Sequence, residues 1–232
     1  MGNNINNIKQ HKAKIRQSLR TSRNNLTKQD VTEKSLAICR HIKNHSNFNL
    51  INKLGLYLAH GREVKLNYLL QDCLTLNKEC YAPVINYPRA VNHIPKMKFH
   101  RVSCLPHPII SSKNNQSKMK PLIHLWRKNI YGIDEPYQTP SIDTYIDMWK
   151  IDAVFMPLVA FDEQGGRLGM GGGYYDATFS FCRAENKRFT KRPLLIGVAY
   201  ELQRIKSVPL EAEDIKMDWV VTENGWMKPN TN

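Results

Sequence analysis

The stretch that most limits the fold is "IDAVFMPLVAF" (151–161), an unbroken apolar run with a glycine-rich segment directly behind it. Such a run, closed by turn residues, reads as a central strand of a covered sheet. "KLGLYLA" (53–59), "ECYAPVI" (79–85) and "PLLIGVAY" (193–200) are of the same kind. Between the first two, after a break at Gly61, "EVKLNYLLQDCLTLN" (63–77) has helical spacing. Strand, helix, strand in that order implies a crossover and a parallel pair. "MKFHRVSC" (97–104) alternates as a further strand, and "DWVVTENG" (218–225) closes the set. The expectation is an α/β fold, one domain over 1–232, with a mostly parallel sheet.

Two helices are predicted ahead of the first strand. "KQHKAKIRQSLRTSRNNL" (9–26) is basic, with Ile8, Ile15 and Leu19 on one side and Asn24 and Asn25 ending it. Thr27, with Asp30 three residues on, resembles an N-cap for a helix through about His45, whose inner face is Val31, Ser35, Ile38 and Ile42. From 105 to 129 the pattern fades into Pro, Ser, Asn and Lys, so an exposed loop insertion is expected there. Trp126, at its end, is either a lid aromatic or a core anchor.

Net charge is +14, from 34 Lys and Arg against 20 Asp and Glu. A field of that sign draws anions such as nucleic acid, phosphates or polycarboxylates, and it also serves solubility alone. The cations are scattered, with no basic block and no RNA-binding signature, so nucleic acid is not the expected partner. No run approaches the roughly 20 apolar residues of a membrane helix. The opening "MGNNIN" lacks the apolar core of a signal peptide, and Asn6 stands where a myristoylation signal needs Ser or Thr. A cytoplasmic protein is expected. Five cysteines with no C-x-x-C pair argue against a disulfide framework or a zinc site.

"GGRLGMGGGYYDATF" (165–179) carries the chemistry. Ligands of open α/β sheets sit beyond the carboxyl ends of the strands, where this segment falls. Gly169, Gly171, Gly172 and Gly173 let backbone N–H groups converge on an anion. A helix starting near Gly173, over "YYDATFSFCRA" (174–184), would add its positive end. Arg167 offers a forked phosphate contact, Tyr174 and Tyr175 flat faces for a heterocycle, and Asp176 a ligand for Mg²⁺. Neither the P-loop nor the dinucleotide fingerprint is present. The plain alternative is a flexible turn between strand and helix.

The longer segment "MPLVAFDEQGGRLGMGGGYYD" (156–176) resembles the signature of the 5-formyltetrahydrofolate cyclo-ligase (5,10-methenyltetrahydrofolate synthetase) family. "KAKIR" (12–16), "LYLAHGREV" (56–64), "YGIDEP" (131–136) and "IGVAYELQRIKSVPLEAEDIKMDWVVTENG" (196–225) are similar to further segments of that family, in the same order. The resemblance implies a three-layer α/β fold akin to sugar-phosphate isomerases and CoA transferases. It also implies conversion of 5-formyltetrahydrofolate and ATP to 5,10-methenyltetrahydrofolate, ADP and phosphate, with Mg²⁺, in a monomer. Carried over residue by residue, Arg167, Leu168, Gly169, Met170, Gly171, Gly172, Gly173, Tyr174 and Tyr175 would wrap the ATP phosphates together with Lys12 and Arg16. Asp176 and Asp214 would serve the metal. Leu58, Glu63, Tyr174 and Tyr175 would line the folate site, with Arg167 and the tyrosine pair at the reacting centre. Two positions depart from the pattern: Gly172 stands where some relatives carry Lys, and Met170 where Tyr or Arg is frequent. Holding ATP at about 0.1 mM takes roughly 5.5 kcal/mol, more than the ~1.5–3 kcal/mol of one charge-assisted hydrogen bond, so Arg167 cannot act alone.

The other candidates read as plain structure. His41 and His45 are spaced i, i+4 with no Glu after the first, as solvated residues at a helix end. His93, His100 and His107 read as surface residues. Asp218 reads as the cap of the last strand, and Asp134 and Glu135 as a turn.

Overall fold

A computed structural model describes residues 2–85, 97–106, 126–137, 145–183 and 191–230. The chain opens with α1 (Gly2–Asn24), which begins seven residues before the expected start, and α2 (Lys28–Asn44). Thr27 caps α2 as its spacing predicted: its hydroxyl accepts the Asp30 N–H, and the Asp30 carboxylate accepts the Thr27 N–H. There follow β1 (Lys53–Gly55), α3 (Asn67–Thr75), β2 (Glu79–Val84), β3 (Lys98–Val102), β4 (Trp126–Lys128), β5 (Asp134–Pro136), β6 (Tyr145–Ile146) and β7 (Ala153–Pro157). The chain ends with β8 (Ala160–Phe161), β9 (Arg167–Leu168), α4 (Tyr174–Thr178), β10 (Leu194–Val198), β11 (Trp219–Thr222) and β12 (Gly225–Met227).

Eight of these strands form one sheet in the order β12-β11-β10-β7-β1-β2-β3-β6. The run from β11 to β2 is parallel, and β12, β3 and β6 add antiparallel at the flanks. The sheet is therefore mostly parallel, as predicted, with β7 at its centre. Alternation along β7 shows why that strand is apolar throughout. Ala153 and Phe155 face a core shared with Ile38 and Ile42 of α2 and Leu69 and Leu70 of α3. Val154 and Met156 face the opposite core with Phe99, Phe179 and Met217. Each large side chain buried in this way contributes about 1.5–3 kcal/mol. All five cysteines are free and four are buried, which fits their reading as small hydrophobes.

Several expectations need correction. The strand read over 151–161 is two: β7 ends at Pro157, and β8 turns back to pair with β9 as a separate hairpin. The helix read over 174–184 has five residues and gives way to a 3-10 turn at Ser180–Cys182, because Phe179 leaves the helical path to fill the core. Asp134 and Glu135 lie in a strand, not a turn, and Glu135 is fully buried, accepting from Arg127 Nε at 2.8 Å and the Ile85 N–H at 3.0 Å. Trp126 is a core anchor: it packs on the α2–α3 side of the sheet. His41 and His45 are half-buried rather than fully solvated. His41 Nε2 lies 3.1 Å from the Glu223 carbonyl, and His45 packs its ring on Trp226 and Trp219. His100 is buried in β3, while His93 and His107 lie outside the described residues. Of the loop expected over 105–129, residues 107–125 lie outside the described residues, and its end is not loop, because 126–128 form β4 paired with β5. Asp218 does cap β11, accepting the Leu195 N–H and both arms of Arg192.

Candidate functional site

The glycine segment is launched from the β8–β9 hairpin. Asp162, 2% exposed, holds the turn: one carboxylate oxygen accepts the N–H groups of Gln164 and Gly166, and the other accepts that of Val208 at 2.7 Å. A Cβ at Gly166 would fall 2.7 Å from that carboxylate. Gly165 and Gly166 thus serve the turn, and the loop free to meet a ligand is 169–173. Gly171 and Gly173 there have φ of +102° and +65°, values that L side chains rarely adopt. Leu168 is anchored: its side chain packs with Ile15 and Leu19 of α1, and its carbonyl accepts the Val159 N–H. Met170 projects half-exposed from the loop.

Above this loop and the ends of the parallel strands lies one cavity of about 1190 Å³. Single small-molecule sites span about 300–1,000 Å³, so there is room here for more than one ligand. Lys12, Arg16, Leu58, Glu63, Arg167, Leu168, Gly169 through Gly173, Tyr174, Tyr175, Asp176 and Asp214 all line it, so the residues singled out in the sequence converge on one place.

At the loop end, cations and carboxylates interlock. Arg167 is 5% exposed; its Nη2 donates to Asp176 Oδ1 at 2.7 Å, and its buried Nε–H has no partner. Asp176 Oδ1 also accepts the Ile215 N–H at 3.0 Å. Lys12 is equally buried and donates to Asp214 Oδ2 at 2.6 Å and Glu211 Oε2 at 2.7 Å. Burial works to lower the Lys12 pKa, but its bonds to Asp214 and Glu211 outweigh burial and leave it above the ordinary value. One turn on, Arg16 donates through Nε to the Gly169 carbonyl at 2.8 Å; burial brings its pKa below the usual value against the pull of Asp214 and Glu211. The two cations at i, i+4 do share one wall. Among the described residues no three acidic, histidine or cysteine side chains are grouped to hold a metal unaided. Two carboxylates, with phosphate oxygens and water completing the shell, suit Mg²⁺, which seldom takes an all-protein cage.

The far end is built differently. Glu63 is 9% exposed in the loop between β1 and α3. Its Oε2 accepts the His60 N–H at 2.9 Å, and Arg23 Nη1 stands 3.7 Å from its Oε1. Burial raises the Glu63 pKa above the carboxylate norm, opposed by His60 and Arg23. Tyr57 donates its hydroxyl to the Val64 carbonyl, and burial lifts its pKa, as it does that of Tyr175. Tyr174 meets Tyr131 at the mouth, hydroxyl to hydroxyl at 3.1 Å with the rings at 85°.

Sequence reading passed over Arg23, Tyr131 and Glu211. Arg23 follows Arg16 by seven residues, two turns along the same face, which was a usable signal. Glu211 stands three before Asp214 in "EAED" (211–214). Tyr131 is placed by the turn of the β4–β5 hairpin, where Asn129 Oδ1 accepts the N–H groups of Tyr131 and Ile133; nothing local foretold its approach to Tyr174.

Known proteins resemble this chain over most of its length. Residues 8–223 match the model of the 5-formyltetrahydrofolate cyclo-ligase family. A 5-formyltetrahydrofolate cyclo-ligase of Haemophilus influenzae is 28% identical over 208 residues, covering 90% of this chain and 95% of its own. One from Mus musculus is 23% identical over 213 residues, covering 92% of each. The solved structure of Aquifex aeolicus 5,10-methenyltetrahydrofolate synthetase superposes with a TM-score of 0.70 at 25% identity, over 95% of this chain and 94% of that one.

Proposed function

This chain belongs to the 5-formyltetrahydrofolate cyclo-ligase family, and from that membership we propose that its cavity seats ATP at the glycine-loop end and 5-formyltetrahydrofolate at the Glu63 end. The enzyme converts 5-formyltetrahydrofolate and ATP to 5,10-methenyltetrahydrofolate, ADP and phosphate. One observation carries the assignment of ends. The buried Arg167, with an unpartnered Nε–H, lies on the same cavity as Lys12, Arg16 and loop 169–173, and the acceptor Glu63 lies on it too.

The chemistry needs alignment and charge neutralisation above all. A formamide is a poor electrophile because its nitrogen lone pair is delocalised into the carbonyl. The formyl oxygen attacks the γ-phosphorus, the bond to the β-phosphate oxygen breaks, and ADP leaves. Folate N10 then attacks the activated carbon and gives up its proton, the carbon–oxygen bond breaks, and phosphate departs with both electrons. Arg167 Nε–H and the N–H groups of loop 169–173 stabilise the charge on the transferring group. Lys12 and Arg16 hold the remaining phosphates. Asp176 and Asp214 would hold Mg²⁺, which supplies neutralisation of phosphate oxygens when bound. Arg167 and Lys12 meanwhile fix the orientation of those two carboxylates. Glu63 accepts from the amino and ring N–H groups of the pterin, and Tyr174 and Tyr175 border the reacting atoms. The Tyr175 phenol, whose pKa burial pushes further up, is a donor at neutral pH.

The test is turnover followed by the absorbance of the methenyl product. It should appear only with 5-formyltetrahydrofolate, ATP and Mg²⁺ together. Well-folded protein that makes no product from the full mixture refutes the reading.

A further inference from the structure

Arg23 is a buried cation that the reaction as described does not use. It sits near the C-terminal end of α1, 5% exposed, and its Nε–H has no partner. A guanidinium withdrawn from water is costly to keep unless something needs its charge. Its ion pair is with Glu63, and the spacing is unusual in kind. Nη1 to Oε1 is 3.7 Å, inside Coulombic reach but outside hydrogen-bond distance. Glu63 Oε2 is engaged by the His60 N–H, so Oε1 keeps its lone pairs. A direct Arg–carboxylate fork would consume them.

We propose that Arg23 is a positioning residue for the folate end of the site: it lends Glu63 a positive charge from behind while leaving Oε1 open to the N–H donors of a pterin ring. This rests on the reading of Glu63 as the pterin acceptor. The surroundings make the charge necessary. Tyr57 on the same segment, Tyr175 from α4 and Tyr200 after β10 face Glu63 as buried phenols, with the Tyr200 phenol pushed up to about 12 by its own burial, and Arg167 lies beyond Tyr175. The positive groups that act on Glu63 are the Arg23 guanidinium, which forms the ion pair, and the neighbouring His60 imidazole, whose charge acts less strongly. Neutral Glu63 would present an O–H where the pterin also presents donors. The same helix carries Lys12 and Arg16 at the nucleotide end, about 16 Å and 10 Å away along its axis at 1.5 Å per residue.

The experiment compares Arg23→Met, Arg23→Lys and Glu63→Gln by KM for each substrate and by the pH profile of kcat/KM for 5-formyltetrahydrofolate. Arg23→Met should raise the folate KM about tenfold, near 1.4 kcal/mol, and leave the ATP KM within about twofold. It should also move the acid limb of the profile to higher pH. Arg23→Lys should bring that limb back toward the wild-type position. If Arg23→Met does not fold, Arg23→Gln carries the same expectation. A limb that stays in place while kcat, ATP use and thermal stability all fall reduces Arg23 to a structural residue and overturns the proposal. If Glu63→Gln weakens folate binding but neutral Arg23 variants do not, the proposal alone fails. If Glu63→Gln leaves folate kinetics and the limb untouched, the reading of Glu63 fails and takes the proposal with it.

Discussion

Replacing Arg167 by Met keeps the bulk of the side chain and removes its charge. Two losses follow. The first is the Nε–H that lacks a protein partner and is taken here to meet a phosphate; a charge-assisted hydrogen bond of that sort contributes about 1.5–3 kcal/mol. The second is the neutralisation of Asp176, bound to Arg167 Nη2 at 2.7 Å. Left with the bound cation as its only counter-charge, that carboxylate opposes a phosphate oxygen about 6 Å away by at most roughly 3 kcal/mol at an effective dielectric of about 20. The Asp176 side chain is 21% exposed, and hydration trims that figure to about 1–2 kcal/mol. Together these predict a loss of about 3–4 kcal/mol, or ~10²–10³-fold in kcat/KM for ATP. Arg167→Lys keeps a point charge without the fork and should fall between, at about tenfold. The assay is steady-state methenyl formation with ATP varied at saturating folate, with circular dichroism and thermal melting as folding controls. A folded Arg167→Met enzyme within about threefold of wild type, or one whose defect lies in the folate KM, refutes the phosphate role of Arg167.

Other outcomes can be checked alongside. Asp162→Ala leaves three N–H groups without their acceptor, so it should cost about 3 kcal/mol and lower Tm by about 6–12 °C in calorimetry. Chelation with EDTA should stop turnover and added Mg²⁺ restore it, and Asp176→Asn should raise the Mg²⁺ concentration needed for half-maximal rate. Burial acts to raise the Asp152 pKa, but the N–H groups of Lys53 and Asn52 and the Lys191 ammonium prevail and hold it below 3.8. Its stabilisation is therefore present above the unfolded pKa and lost as pH falls through the folded one. The Tm difference between wild type and Asp152→Asn should shrink on acidification below about pH 4.

The framework of the fold was legible because its signals are local. The apolar runs at β1, β2, β7 and β10 announce strands buried on both faces, and Thr27 with Asp30 announces the α2 cap. The place of the candidate residues was legible too, because the glycine segment follows the central strand, beyond whose carboxyl end the cavity lies. What escaped depends on distant partners. The β8–β9 hairpin could not be inferred from "LVAFDEQGGRL" (158–168), because the acceptor that closes its turn also binds Val208, far along the chain. His45 looked solvated because Trp219 and Trp226, which cover it, come from the last two strands. α4 fell short of its pattern because burial of Phe179 outweighed continued helical hydrogen bonding.

The anchors of α1 are far away in sequence. Lys12 meets Glu211 and Asp214 across 199 and 202 residues, and Arg16 meets Gly169 across 153. Helix α1 is therefore held by segments translated long after it. Lys12 is without its two carboxylate partners until residues 211–214 have been made. A nascent chain cut short before Glu211 lacks the carboxylates that hold Lys12 in the cavity wall, and β11 and β12 as well.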